Sequence, residues 1–277
     1  MLDELKPKYI RIAATWSETE EQDGVFTTED VDWQMDEASK RNVKVILVVG
    51  QKAPRWPECH VPQWTKILDE NVYRNKLFNY VRFVVERYKN NKALELWQVE
   101  NEPFIKFAFG ECSHYRDQLV TGEIAFVKEL DPVHKTIVTD SGELSTWGKA
   151  VHAGDLFGTT LYRVVRTPRG YLWSYDWLPA AFYRIKAGLW GRKLNEMYVV
   201  ELQAEPWFTD TDPTNTPITE QEKTMNPDRL KNHIEYVQRI GVSRAYLWGV
   251  EWWYWMKEKQ NDSRYWNIVK GVINKGN

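Results

Sequence analysis

Val43-Lys44-Val45-Ile46-Leu47-Val48-Val49-Gly50 decides the architecture. Its clean apolar stretch, Val45–Gly50, has the length of a strand and falls far short of the ~20 residues of a membrane-spanning helix. Upstream, Tyr9–Ala14 predicts a first strand. Thr27-Thr28-Glu29-Asp30 then offers capping residues to a helix that sets Val31, Met35 and Ala38 on one face. Downstream, a loop of Pro and Trp (Ala53–Pro57) leads to a helix with Leu77, Val81, Val84 and Tyr88 at helical spacing. Strands are expected again at Ala93–Val99, Thr136–Thr139, Leu156–Leu161, Met197–Val200 and Ala245–Val250. Between them lie helical patterns through Ile124, Val127 and Leu130, around Phe182–Leu189, and through Leu230, Ile234, Val237 and Ile240, the last capped by Gly241. A long polar loop covers Thr209–Pro217, and Ser263–Ile273 reads as a closing helix.

Strand–helix alternation of this kind implies a parallel sheet, and about seven units over ~250 residues favour a barrel over an open doubly wound sheet. The expected fold class is α/β, a TIM-barrel (β/α)8-like fold with seven recognisable units, in a single domain over residues 1–277. No G-x-G-x-x-G follows the first strand and no G-x-x-x-x-G-K-[ST] occurs, so the nucleotide-binding alternatives lose their main support. The 37 Lys and Arg against 39 Asp and Glu leave a net charge of −2, which rules out the broad basic face of nonspecific nucleic-acid binding. Charges interrupt Met1-Leu2-Asp3-Glu4-Leu5-Lys6 at once, unlike a signal peptide. The expectation is a cytoplasmic protein with neither nucleic acid nor membrane as partner.

Tryptophan occurs 15 times, which makes ring surface abundant enough to need a reason. Two readings stay open: core packing, since rings bury large areas, and stacking on the C–H faces of sugars. Trp16, Trp56, Trp207, Trp252 and Trp253 fall in or near the expected strand-end loops, where rings can line a cleft, whereas Trp97 within a strand reads as core. The run Trp252-Trp253-Tyr254-Trp255 must be at least partly buried or pocket-lining. Cys59 and Cys112 each have a nearby His, at His60 and His114, but lack the tight C-x₂₋₄-C spacing of structural zinc. A metal site, one disulfide between adjacent loops and free thiols remain as alternatives, and no metal or cofactor is required.

Catalytic residues of such barrels lie just past the C-terminal ends of strands. The third strand runs into Glu100-Asn101-Glu102-Pro103, and the sixth into Glu201-Leu202-Gln203-Ala204-Glu205. Two carboxylates at strand ends suit acetal cleavage, where one protonates the leaving oxygen and the other attacks or stabilises the oxocarbenium-like carbon. Glu102 and Glu201 stand out because each follows an apolar strand directly; Glu205 competes for the second role, and Glu201 is preferred because it abuts Met197–Val200. A phosphate-handling barrel is disfavoured, since the corresponding late loops are acidic and aromatic rather than Gly-rich.

Asn101-Glu102-Pro103 after one strand, with Val199-Val200-Glu201 after the strand three positions later, resembles the retaining glycoside hydrolases of clan A, including the cellulase-type family 5 and the β-glucosidase family 1. The resemblance implies an eight-stranded barrel with an acid/base Glu after strand four and a nucleophile Glu after strand seven. Glu102 would then be the acid/base and Glu201 the nucleophile, with carboxyl groups ~5–5.5 Å apart. Asn101 would hydrogen-bond the sugar 2-hydroxyl. Arg11 would keep the nucleophile ionised, Tyr162 would hydrogen-bond it, and Trp248 would floor the subsite where cleavage occurs. The substrate class is an oligosaccharide or glycoside; the alternative is a non-catalytic or weakly active carbohydrate-binding barrel. This chain reads Gly50-Gln51-Lys52-Ala53-Pro54 where many clan members carry a His.

Both glutamates fall one strand early against that pattern, so the first strand–helix unit is expected to be missing. Only eight residues precede Tyr9, and a strand plus crossover helix needs ~30. The expected consequence is seven strands with a gap between the strand of Arg11 and that of Trp248, and with it one of two outcomes: an enlarged, wetter and flexible active site of lowered activity, or a homodimer that covers the seam.

Overall fold

A computed structural model describes residues 1–105, 112, 114–167, 169–208 and 213–276. Among the described residues nine strands occur: β1 Tyr9–Ala13, β2 Lys44–Val49, β3 Leu94–Val99, β4 Lys135–Ser141, β5 Leu156–Leu161, β6 Val164–Arg166, β7 Leu172–Ser174, β8 Met197–Gln203 and β9 Arg244–Trp248. Seven of them form one sheet in the order β1-β2-β3-β4-β5-β8-β9, and β6 and β7 make a separate antiparallel hairpin. The fold is α/β and TIM-barrel-like with seven parallel strands, as the alternation predicts. The hairpin was not foreseen, because three-residue strands carry no usable periodicity. No helix among the described residues is long and apolar enough to cross a membrane.

The chain divides into two compact units. The first comprises Lys8–Ser141 and Ser145–Gly158. Here β1 pairs in parallel with β2 from Tyr9↔Lys44 to Ala13↔Val48, and β3 pairs with β4 from Leu96↔Lys135 to Gln98↔Ile137. Val45–Val49 are all buried, as are Leu77, Tyr80, Val81, Val84 and Val85 on the helix Glu70–Tyr88. Asp69 starts that helix by accepting the Asn71 and Val72 N–H groups, which helix geometry leaves without partners. Thr28 precedes the helix Glu29–Lys40 as expected, but its hydroxyl donates to Asp32 and leaves the backbone uncapped.

Trp16 corrects the reading of strand-end rings as cleft rings. It lies in the short helix Trp16–Thr19, has no solvent exposure, and stacks on Tyr80 with centroids 5.7 Å apart. Tyr73 and Trp64 meet it edge-on, and its indole N–H donates to Glu20 at 2.8 Å. Trp97 is core as expected, with its N–H on the Asp131 carboxylate at 2.8 Å. Trp56 is exposed. Cys59 and Cys112, 53 positions apart in sequence, form a disulfide with Cα atoms 5.5 Å apart, which decides among the three cysteine readings. A bond closing a loop of that length removes entropy from the unfolded chain. Replacing both cysteines by Ser should therefore lower unfolding free energy by roughly 2–4 kcal/mol, read as a shift of the urea midpoint; an unchanged midpoint would contradict this.

The second unit comprises Met1–Pro7, Gly142–Leu144 and Thr159–Asn277. In it β8 and β9 run parallel from Tyr198↔Arg244 to Gln203↔Trp248. The helix Pro227–Ile240 is capped by Asn226 at its start and by Gly241, at φ 80°, at its end. The closing helix is Arg264–Gly276, close to its expected bounds. Strand β8 runs three residues beyond the expected Val200, and β9 stops two residues before the expected Val250. Gly249 ends β9: its φ of 130° is a conformation that side chains resist, and a Cβ there would sit 2.5 Å from that of Glu205. Val250–Lys259 is then a helix, which aromatic-rich sequence concealed. Trp252 and Trp253 are buried in it and donate to Gln221 Oε1 and the Ala204 carbonyl, both at 2.7 Å. The residues Met1–Leu5 hold the short helix Leu2–Leu5, with Glu4 accepting from Lys257 at 2.9 Å. Positions 209–212 of the polar loop lie outside the described residues; Pro213–Asn215 form a 3₁₀ turn.

Candidate active site

The chain leaves β3 through two residues in the left-handed region, Glu100 at φ 62° and Glu102 at φ 45°. Such conformations cost about 1–3 kcal/mol each for residues other than glycine, and they persist only where surroundings hold them. Those surroundings are explicit here. The Asn101 N–H donates to the Lys52 carbonyl at 2.9 Å, and the Glu102 N–H to Thr139 Oγ1 on β4 at 2.9 Å. Arg11 on β1 donates to Gln98 Oε1 and to Asn101 Oδ1, both at 2.8 Å, and Gln98 donates to the Glu100 carbonyl at 3.0 Å. Arg11, Asn101 and Glu102 therefore come together in the first unit. Glu102 is buried, with its carbonyl 3.4 Å from the Lys52 ammonium.

Beneath that turn, Glu100 is fully buried and accepts the Gln51 and Lys52 N–H groups at 2.8 and 2.6 Å. Gly50, at φ 117°, makes this approach feasible, since a Cβ there would lie 2.5 Å from Glu100 Oε1. Burial pushes the Glu100 carboxyl above the usual range. Burial, and then the Glu100 charge, push Glu123 on the helix Asp117–Leu130 well above it. Among the described residues no N–H or hydroxyl donor meets either Glu123 oxygen; its partner is the Glu100 carboxyl, and two carboxyls hydrogen-bond only when a proton stays with the pair. An acid with a raised folded pKa stabilises at low pH, and that contribution is lost as pH rises from the unfolded value, 4.5, through the folded one. Glu123→Gln should therefore match the native protein near pH 4 and exceed it increasingly toward alkaline pH in urea unfolding. Parallel stability curves would contradict this.

In the second unit Glu201 lies within β8, buried, and accepts the Tyr162 hydroxyl on Oε2 at 2.7 Å. Tyr162 follows β5 directly, and Trp207 meets its ring edge-on with centroids 5.5 Å apart. Gln203, two residues along from Glu201, fastens the chain just beyond Tyr162. It accepts the Val164 N–H at 2.9 Å and donates to the Val164 carbonyl at 2.6 Å. Trp248 ends β9 opposite Gln203, and its carbonyl accepts the Ala204 N–H at 3.0 Å. His233 is buried and donates from Nδ1 to the Gln203 carbonyl at 2.8 Å; burial pushes its pKa down to about 4, so it is neutral at pH 7. Glu205, the competitor of Glu201, lies past the end of β8 and is buried against Gly249.

Sequence reasoning missed Gln98, Thr139, Gln203 and Glu143. Gln98 and Gln203 are polar residues in apolar strands, a usable signal that a buried amide must find partners. Glu143 stands two residues past β4, where the strand-end rule applied to that strand would have found it. Among the described residues, no group of three or more His, Cys, Asp or Glu side chains is placed to hold a metal ion.

Residues 60–120, which include Asn101 and Glu102 but not Glu201, match the family model Glyco_hydro_42, described as beta-galactosidase. The chain is 28% identical over 123 residues to beta-galactosidase GalA of Bacillus licheniformis, which is 38% of this chain and 18% of that protein. Among solved structures, the cold-adapted beta-galactosidase from Rahnella sp. R3 matches with a TM-score of 0.65 at 13% identity, over 99% of this chain and 52% of that one. A catalytic mutant of Gan42B, a GH42 beta-galactosidase from G. stearothermophilus, matches with a TM-score of 0.65 at 15% identity, again over 99% and 52%. The chain thus spans about half the length of those structures and 18% of the curated relative. It is a relative of the clan A glycoside hydrolase barrels, similar to the family 42 beta-galactosidases.

Proposed function

We propose that this chain is the catalytic barrel of a retaining β-glycosidase that acts on β-galactosides. The observation that carries the proposal is Glu201, a buried carboxylate on a barrel strand oriented by the Tyr162 hydroxyl at 2.7 Å. Glu201 attacks the anomeric carbon while Glu102 gives its proton to the glycosidic oxygen, so the C–O bond breaks as the glycosyl–Glu201 ester forms. Glu102, now a carboxylate, takes a proton from water, whose oxygen displaces Glu201 and releases the sugar with its configuration retained. Arg11 occupies Asn101 Oδ1, so Asn101 would offer a sugar 2-hydroxyl its Nδ2–H.

The similarity of residues 60–120 to beta-galactosidases supports galactose as the glycone. A panel of aryl β-galactoside, β-glucoside, β-mannoside and β-xyloside substrates tests this, with the anomeric configuration of the first-formed product followed by proton NMR. Turnover preferring galactoside with retention supports the reading. Inversion would reject the nucleophile assignment. Sugar binding without turnover would favour the alternative, a carbohydrate-binding barrel.

A further inference from the structure

Glu143 has no part in the chemistry above, yet it is joined to Glu201 through a single residue. Its Oε1 accepts the Tyr183 hydroxyl at 2.7 Å, and its Oε2 faces the Tyr162 N–H at 3.4 Å. The hydroxyl of that same Tyr162 donates to Glu201 Oε2. All of these groups belong to the second unit. The backbone beside Glu143 is held on both sides: the Gly142 N–H donates to the Thr160 carbonyl at 3.1 Å, and Lys186 donates to the Gly142 carbonyl at 2.9 Å. A side chain at Gly142 would overlap the Thr160 carbonyl oxygen, so the approach requires glycine there.

The surroundings of Glu143 oppose one another. Burial disfavours its charge and is the larger effect, while Tyr183, the Tyr162 N–H and the Arg163 guanidinium favour it; together they push the carboxyl up to about 7. Arg163 is buried over the Tyr236 ring, 3.9 Å from its centroid. The other titratable groups nearby are the Tyr175, Tyr183 and Tyr236 hydroxyls, which burial and Glu143 push up and which stay neutral in this range, and Lys186, which bonds the adjoining carbonyl. Glu143 therefore changes charge around neutrality while these neighbours keep theirs.

We propose that Glu143 is a positioning residue, the charge of its carboxyl setting the hydrogen bond that Tyr162 makes to Glu201. When ionised it draws in the Tyr162 N–H as a charge-assisted acceptor, stronger than the neutral acid. Because Gln203 pins the backbone at Val164, the adjustment falls on the Tyr162 residue itself. The catalytic consequence rests on the reading of Glu201 as nucleophile; the coupling between the two carboxyls does not.

The coupling can be measured without turnover, in protein labelled with ¹³C at the glutamate δ-carbons and titrated from pH 4 to 9. The Glu201 resonance is assigned by its loss in Glu201→Gln. In the native protein it should show an inflection near pH 7. Glu143→Gln should abolish that inflection, and Tyr183→Phe, which removes a donor to the ionised form, should move it to higher pH. A Glu201 titration that is the same in the native protein and in either variant would overturn the proposal. Failure of the glycosidase reading is seen separately, as absence of turnover by the native protein, and leaves the titration to decide the coupling. Where turnover is present, Glu143→Gln should flatten the kcat/KM profile around neutral pH, which a purely structural role would not do.

Discussion

Glu201→Gln is expected to lower kcat/KM for an aryl β-galactoside by roughly 10⁴-fold or more, on the scale seen when a catalytic nucleophile is removed. The amide matches the carboxylate in shape and can still accept the Tyr162 hydroxyl through its oxygen, but it is too weak a nucleophile to form the glycosyl ester. Fold and substrate binding should therefore survive, and the loss should appear in kcat. Glu102→Gln should behave differently. It removes the proton donor and the later base, each worth ~10²–10⁴-fold, and its effect should grow as the leaving group becomes a poorer one. Added azide separates the two roles. With Glu102→Ala it should restore turnover by displacing Glu201 from the ester and yield the β-glycosyl azide; with Glu201→Ala it should attack the substrate directly and yield the α-glycosyl azide. If the Glu201 variant turns over as the native protein does, the assignment is wrong, and Glu205, also buried, is the next carboxylate to test.

Trp16→Ala should cost about 3–5 kcal/mol of stability, the range for a large aromatic ring removed from a core. The side chain has no exposure and packs against three other rings, so its deletion leaves a cavity whose lining cannot all collapse. It also strips a donor from the buried Glu20, whose other oxygen accepts the Gly24 N–H at 2.8 Å. Urea unfolding followed by far-UV circular dichroism would measure this as a lower midpoint with little change in slope. A loss below about 1 kcal/mol would mean that Trp16 is a surface ring, as its position after the first strand first implied.

Trp16 also shows where sequence reading stops. Its place just past a strand end is the place of a cleft ring, and nothing local says that Tyr73 and Tyr80, on a helix some sixty residues on, close over it. The run at Trp252 and Trp253 is buried in part, as expected, but its helix was hidden: four rings in a row have little helical preference of their own, and the helix Val250–Lys259 is stabilised by burial against partners such as Gln221 and Ala204. The end of β9 was misplaced because Gly249 acts through its closeness to Glu205, 44 positions earlier in the chain.

By itself the sequence determined the strand–helix alternation and the seven parallel strands, because apolar periodicity and strand length are local properties; it also singled out Glu102, past the end of β3, and Glu201, which the structure places inside β8 rather than after it. The tertiary structure alone decided that Trp16 is core, that Cys59 and Cys112 join, and how the candidate site is held. Arg11 reaches Asn101 across 90 residues, Tyr162 reaches Glu201 across 39, and Cys59 meets Cys112 across 53. Contacts at such separations form only once the sheet brings its strands side by side, so no local pattern announces them.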